Sequence, residues 1–317
     1  MPDEDPWPPT DPVRRQHLLA HLAHGHYVDG LSKVSLAEKS GLSRFQVAAL
    51  LREAQETGVV RIEITVPAED ADDALARAVG LRSLTTVGTV QWPADRDALA
   101  RATAREITAR LREDEVLGIS WSRTLQRVVK HLPPLPDNDI VQLAGALNTP
   151  HGGEPEAPRL LAGLQCRSAW PLWAPLVVDQ AEFLRRAPEI AATLKKACSL
   201  DVAVLAVGSW TPEGSTVWSR VDPRTALAAQ RAGAVAEVSG HLLDAQGGEV
   251  RTPLAGMVVA ADLAPLRSTR DKLAVASGAD RAAAVLAAVR SGLVDHLVCD
   301  AALRDALRAL PPAPAGP

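Results

Sequence analysis

Short, continuously apolar runs alternating with Ala-, Leu- and Arg-rich stretches set the strongest limit on what this chain can become. Residues 201–207 read DVAVLAV and residues 272–276 read KLAVA. Such runs are too short for a helix and lack the polar alternation of a half-exposed strand, so they call for burial on both faces. Strands are expected at 83–90, 115–120, 139–144, 174–178, 201–207, 257–261, 271–276 and 294–298. Helices are expected at 94–113, 122–132, 154–166, 180–198, 222–233, 278–291 and 300–309. Strand–helix alternation of this kind predicts an α/β fold built on a doubly wound, mostly parallel sheet. Aromatic residues are only 3% of the 317, so Leu, Val and Ala must fill the interior.

Ahead of this region the texture differs. Residues 33–50 read KVSLAEKSGLSRFQVAAL, which fits the spacing of a helix-turn-helix. Ala37 is the small residue that close crossing of two helices requires, and Gly41, four residues on, can take the positive φ of the turn. Val47 follows six beyond the glycine, Leu36, Leu42, Leu50 and Leu51 supply a core, and Ser43 is a good N-cap. Ser43, Arg44, Phe45 and Gln46 then lie at the leading end of the recognition helix, where side chains reach base edges. Arg44 suits guanine, Gln46 suits adenine or a phosphate, and Lys33 and Arg52 suit phosphates. The alternating stretch VVRIEITV at 59–66 suits the strand of a wing. This module is only slightly basic and the whole chain carries a net charge of −4, so a homodimer or homotetramer engaging two half-sites is expected.

The expected layout is a tail at 1–12, a winged helix-turn-helix at 13–66, a linker and helix at 67–80, an effector domain at 81–310 and a tail at 311–317. The acidic, Pro-rich start does not read as a signal peptide, and no apolar run reaches membrane-spanning length. Three scattered cysteines, Cys166, Cys198 and Cys299, argue against a disulfide framework and fit a reducing cytoplasm.

Four loops follow expected strands, at the carboxyl ends where open α/β sheets collect ligands. They are Gly118–Thr124, Gln142–Ala146, Val207–Ser209 and Ser277–Arg281. The first carries hydroxyls at Ser120, Ser122 and Thr124 at the start of a helix, a suitable anion cradle. The third contributes Gly208 and Ser209.

These motifs, in this order, resemble a SorC-type (SorC/DeoR group) sugar-binding transcriptional regulator across roughly Val13–Leu310. The resemblance rests on the helix-turn-helix segment, LGISWSRTLQRVV, IVQLAGAL, AVGS, GHLLDAQG and LAVASGADRAAAVLAAVRSGLVDHLVCD. It implies an effector domain folded like glucosamine-6-phosphate deaminase and ribose-5-phosphate isomerase, and a phosphorylated sugar or polyol as ligand. By that resemblance Ser120, Trp121, Ser122 and Thr124 form a phosphate loop, and Gly145 continues the glycine pair of the family. Asp244 takes the place of a carboxylate able to accept sugar hydroxyls. Ser277, Gly278 and Arg281 replace the final A-G-G-x-x-K motif, with Arg for Lys. Ala144 stands where a Schiff-base lysine would be needed, so no covalent adduct with an aldehyde is available there.

His17, His21 and His24 are spaced to share one helix face, yet no cysteine or carboxylate neighbour completes a metal site in sequence. The other histidines show no triad spacing, and no cofactor motif is present. The leading expectation is a DNA-binding regulator of a carbohydrate-catabolism operon, without enzymatic activity, whose partners are double-stranded operator DNA and a small sugar effector. The alternative is a sugar-phosphate isomerase or deaminase fused to a helix-turn-helix, which would need a positioned base beside the sugar.

Overall fold

A computed structural model describes residues 8, 9, 11–60, 70–88, 96–146, 160, 161 and 163–310. The chain divides into two compact units, Met1–Thr65 and Val66–Pro317.

In the first unit α1 spans Pro12–Tyr27, α2 Lys33–Ser40 and α3 Arg44–Glu56. Leu18, Leu19 and Leu22 of α1 pack with Leu36 and Ala37 of α2 and with Val47, Leu50 and Leu51 of α3. Gly41 ends α2 at φ 67°, the left-handed geometry that glycine adopts without strain. Ser43 then opens α3 through a reciprocal cap: its hydroxyl accepts from the Gln46 N–H, and the Gln46 side chain accepts from the Ser43 N–H. Arg15 clamps α1 to α3 through two hydrogen bonds to the Glu53 carboxylate, 2.6 and 2.7 Å. That guanidinium holds the Glu53 carboxyl below its ordinary value. The expected wing strand falls largely on residues 61–66, outside the described residues.

The second unit is a parallel sheet covered on both faces. Strand β1 is Ser83–Val87, β2 Val116–Ile119, β3 Leu135–Gln142, β4 Cys166–Trp170 and β5 Val202–Ser209. A hairpin of β6 (Ala236–Val238) and β7 (His241–Leu243) joins β5 antiparallel, and β8 (Asp271–Ala276) and β9 (His296–Asp300) complete the set. The main order is β1-β9-β8-β5-β2-β3-β4, with every neighbouring pair on this path parallel. Side chains of β5 alternate between two cores: Ala203, Leu205 and Val207 join one, Val202 and Val204 the other. The first core is closed by α4 (Asp70–Val79), α10 (Leu263–Ser268), α11 (Ala282–Arg290) and α12 (Ala301–Ala309). The second is closed by α5 (Arg96–Arg110) and α6 (Arg123–His131).

Several expectations need correction. Residues 174–178 and 257–261 do not form strands; they meet in single bridges, Ala146 to Pro175, Val177 to Val258 and Ala144 to Ala260. Pro175 has no N–H for a ladder, and the short segments cross near Gly145 instead of running alongside the sheet. The helix expected at 154–166 gives way at its end to β4, and residues 154–159 lie outside the described residues. The helix expected at 180–198 breaks into α7 (Ala181–Arg185) and α8 (Pro188–Lys196), because Pro188 can start a helical turn but not continue one.

Leu205 lies on the central strand and is fully buried. Leu205→Ala is expected to lower the unfolding free energy by about 2–5 kcal/mol, read from urea unfolding of the full chain; a loss under about 1 kcal/mol would show that this core readily collapses around the gap.

Candidate functional site

The chain reverses its winding direction at β2. From β2 it proceeds outward to β3 and β4, then returns to the other side of β2 as β5. A crevice must open at the carboxyl ends of β2 and β5, since the connections leave in opposite directions. Here the structure has a cleft with a cavity volume of ≈ 160 Å³. Its wall includes Trp121, Ser122, Arg123 and Thr124 after β2, Gly208 at the end of β5, and Ser277 and Arg281 after β8.

Each of these side chains is placed by a local device. Ser122 caps α6, its hydroxyl accepting from the Leu125 N–H at 3.0 Å. The N–H groups of Arg123 and Thr124, in the first turn, have no acceptor within the helix. Arg281 closes a 3₁₀ turn, donating through Nη1 to the Ser277 carbonyl at 2.6 Å and lying 3.4 Å from the Asp280 carboxylate. Ser209 donates to the Asp280 carbonyl at 2.9 Å, which ties the β5 loop to that turn.

Other residues expected at the site serve it from beneath or lie elsewhere. The Ser120 side chain is buried, and its hydroxyl accepts from the Ala206 N–H at 3.1 Å, under the cleft floor. Gly145 is a packing glycine: a Cβ there would sit 2.7 Å from the Ala174 carbonyl oxygen. Gly278 adopts φ 94° and gives its N–H to both carboxylate oxygens of Asp300, 3.1 Å each, so that donor is already engaged. Asp244 does not line the cleft; its carboxylate accepts from the N–H groups of Gln246 and Gly248 and shapes the turn after β7.

Sequence reasoning missed the hairpin side of the cleft. Ser239 and Gly240, at φ 53° and 86°, form the two-residue turn between β6 and β7. The Ser-Gly pair between AEV and HLL was the available signal, but three-residue strands are too short to show a period. Glu237 and Ser239 both line the cleft, with Arg96, Glu213 and Thr216. The Ser239 hydroxyl is buried without a hydrogen-bond partner among the described residues, and so is the Trp121 indole N–H. Glu237 accepts from the Gly240 N–H at 2.5 Å and from the Ser215 hydroxyl at 3.3 Å. Burial pushes its carboxyl above the ordinary value despite those two bonds. The cleft thus offers neutral donors, a carboxyl held toward its protonated form, and guanidinium groups.

A family model described as "Putative sugar-binding domain" matches residues 68–307. The chain belongs to this family, as a SorC/DeoR-type sugar-binding transcriptional regulator. Curated relatives agree along nearly the whole length. The transcriptional regulator LsrR of Enterobacter sp. (strain 638) is 26% identical over 313 residues, 94% of each chain. The deoxyribonucleoside regulator of Bacillus subtilis (strain 168) is 22% identical over 298 residues, 90% of this chain and 95% of that one. In fold, the full-length sorbitol operon regulator SorC of Klebsiella pneumoniae superposes with a TM-score of 0.66 at 19% identity, covering 92% of this chain and 98% of that one.

In this SorC/DeoR-type regulator the residues expected to read DNA lie on the surface of the first unit. Arg44 and Gln46 are exposed, as are Lys33 and Arg52, and Phe45 is 85% exposed. Gln46 differs from expectation in one respect, since its side-chain carbonyl is committed to the cap. Among the described residues no group of three or more His, Cys, Asp or Glu is arranged to hold a metal, and no helix is long and apolar enough to cross a membrane. All three cysteines are free. Several histidines acquire partners that sequence spacing did not suggest, His131 with Asp97 and His241 with Glu249 among them; His296 lies 2.8 Å from the Ser83 hydroxyl and 3.3 Å from Asp271. These groups sit at the amino ends of β1, β8 and β9, opposite the cleft, and Arg110 reaches both Ser83 and His296 at 3.2 Å. Burial, then the Arg110 charge, push the imidazole toward its neutral form, and the cluster fastens β1 to β9.

The raised Glu237 carboxyl gives a pH signature with a definite sign. Its folded-state pKa exceeds the ordinary 4.5, so its favourable share is complete below 4.5 and is lost as pH rises through the folded-state value. Carboxylates held low, Glu115 by Arg270 and Asp139 by Arg167 and Lys196, act on the opposite side, below their ordinary values. Glu237→Gln is therefore expected to flatten the fall in Tm above pH 4.5 and leave the acid limb unchanged, as measured by melting curves across pH; parallel curves for the two proteins would place the ionisation elsewhere.

Proposed function

We propose that this regulator controls a carbohydrate-catabolism operon by binding operator DNA through α3 and a small sugar, phosphorylated or a polyol, in the cleft between β2 and β5. The observation that carries the effector reading is the pair of unpartnered buried donors in the cleft, the Ser239 hydroxyl and the Trp121 indole N–H. An unpaired buried polar group is costly, and a polyhydroxylated ligand satisfies both while Glu237 can donate or accept. Arg281, with the first-turn N–H groups of α6, suits a phosphate or another anionic end. The relatives' names, transcriptional regulator LsrR and deoxyribonucleoside regulator, support a regulatory role.

The cleft is read as a binding site without turnover. Among the described residues lining the cleft, no lysine or histidine stands beside Glu213 and Glu237; His241, which reaches Glu237 electrostatically, points its ring nitrogens at the Ala261 carbonyl and Glu249 instead. Regulation requires that the ligand prefer one of two states that differ in DNA affinity. We read the active species as a homodimer or homotetramer in the cytoplasm, because one slightly basic module binds a single half-site weakly.

A panel of sugars and sugar phosphates tests this reading through thermal shift, product formation and DNA binding on the same samples. At a ligand concentration of about 100 times Kd, binding to the native state alone stabilises it by about 2.7 kcal/mol. Arg281→Ala and Thr124→Ala are expected to weaken effector response at least tenfold and to leave DNA binding without effector unchanged. Arg44→Ala is expected to weaken DNA binding about tenfold or more and to preserve the ligand-induced thermal shift. Product formation without any change in DNA affinity would favour the isomerase or deaminase alternative instead.

A further inference from the structure

The solvent face of α3 is unusual in what it offers a DNA groove. Its exposed positions are Arg44, Phe45, Gln46, Ala49 and Arg52, with Gln55 and Glu56 in the last turn, and Phe45 and Ala49 lie one helical turn apart. Phe45 is 85% exposed, while Val47, Leu50, Leu51 and Ala54 of the same helix are buried in the core of the unit. A single exposed apolar ring is ordinary on a general surface, but this one stands at the second residue of the recognition helix. Reading adenine through two hydrogen bonds takes both ends of a side-chain amide. Gln46 has its carbonyl oxygen engaged by the Ser43 N–H at 2.8 Å, so it cannot make that contact without giving up the cap. That leaves Arg44 as the residue at this end of α3 able to make a bidentate base contact, and beside it stands the exposed apolar ring of Phe45. In the major groove the one apolar feature of a base pair is the C5-methyl of thymine. Arg44 and Arg52 flank the apolar centre with positive charge, which complements phosphates on either side.

We infer that Phe45, backed by Ala49, reads a thymine methyl in each half-site, and that this contact together with Arg44 sets operator sequence. The inference rests on the reading of the chain as a DNA-binding regulator and adds the chemistry that α3 recognises.

The test uses the full-length chain. Duplexes are selected from a random-sequence pool by the wild-type protein, and each thymine of the selected site is then replaced by deoxyuridine, which lacks only the methyl group. At fixed salt, replacement in one half-site is expected to weaken wild-type binding about fourfold, the value of one buried methyl. Phe45→Ala is expected to bind the thymine and uracil forms of that position equally, and Phe45→Leu to retain part of the preference. Since Phe45 makes no core contact, the melting curve of Phe45→Ala should match the wild type, which separates loss of reading from loss of fold. Equal wild-type affinity for thymine and uracil at every position overturns the inference while leaving the regulator reading standing. So does unchanged methyl preference in Phe45→Ala. A dissociated Phe45→Ala oligomer in the absence of DNA would assign the ring to a contact between copies and overturn it as well. Failure of the wild type to enrich any duplex overturns the regulator reading itself, and this inference with it.

Discussion

The cleft of the effector unit depends on how β2 and β5 part company. They run parallel through Leu117–Ile119 and Val202–Val204, and Ser120 adds one more tie by accepting from the Ala206 N–H. Beyond that bond the two chains leave toward opposite sides of the sheet, and nothing in the ladder fills the gap. A hydroxyl is the right group for the last tie: it is small enough for a buried strand end, and it satisfies a backbone donor that the diverging partner no longer can. The cradle above it is a set of turns, each held by its own cap, rather than a continuous wall. Ser122, Ser209 and Asp300 each spend a side chain on fixing a loop.

Much of this was legible in the residues. The continuous apolar runs of β5 and β8 announced burial on both faces, and the alternation with helices announced parallel strands. Gly41, Ser43 and Val47 announced the helix-turn-helix by their spacing, and their geometry matches the roles that spacing assigns. The limits have physical causes. Pairing at 174–178 and 257–261 stops at isolated bridges, and local β-preference cannot report whether a partner lies alongside. Asp244 resembled a ligand contact, whereas its carboxylate closes a local turn, a role that looks identical in sequence. Glu237 and Ser239 gave little warning because a cleft residue on a three-residue strand, or in the turn that follows it, carries no periodicity.

The two units solve the same problem of polar groups in different ways. In the helix-turn-helix, the Arg15–Glu53 pair and the Ser43–Gln46 cap commit polar side chains to one another, which leaves a few exposed groups to face a partner. In the effector unit, Ser239 and Trp121 remain uncommitted inside the structure. The cost of leaving them so is of order 1–3 kcal/mol each, and it is the kind of cost that a fold tolerates where a ligand removes it.

The bond between the Gly278 N–H and the Asp300 carboxylate bears on how such a protein changes its preferences. A backbone donor engaged from within is settled by the fold and is the same whatever molecule arrives. On the proposed reading, what remains to choose among molecules falls to cleft-lining side chains such as Trp121, Glu237, Ser239 and Arg281, whose identities can be exchanged without redrawing the sheet. Chemical taste in this scaffold can therefore diverge through single replacements while its architecture is inherited intact.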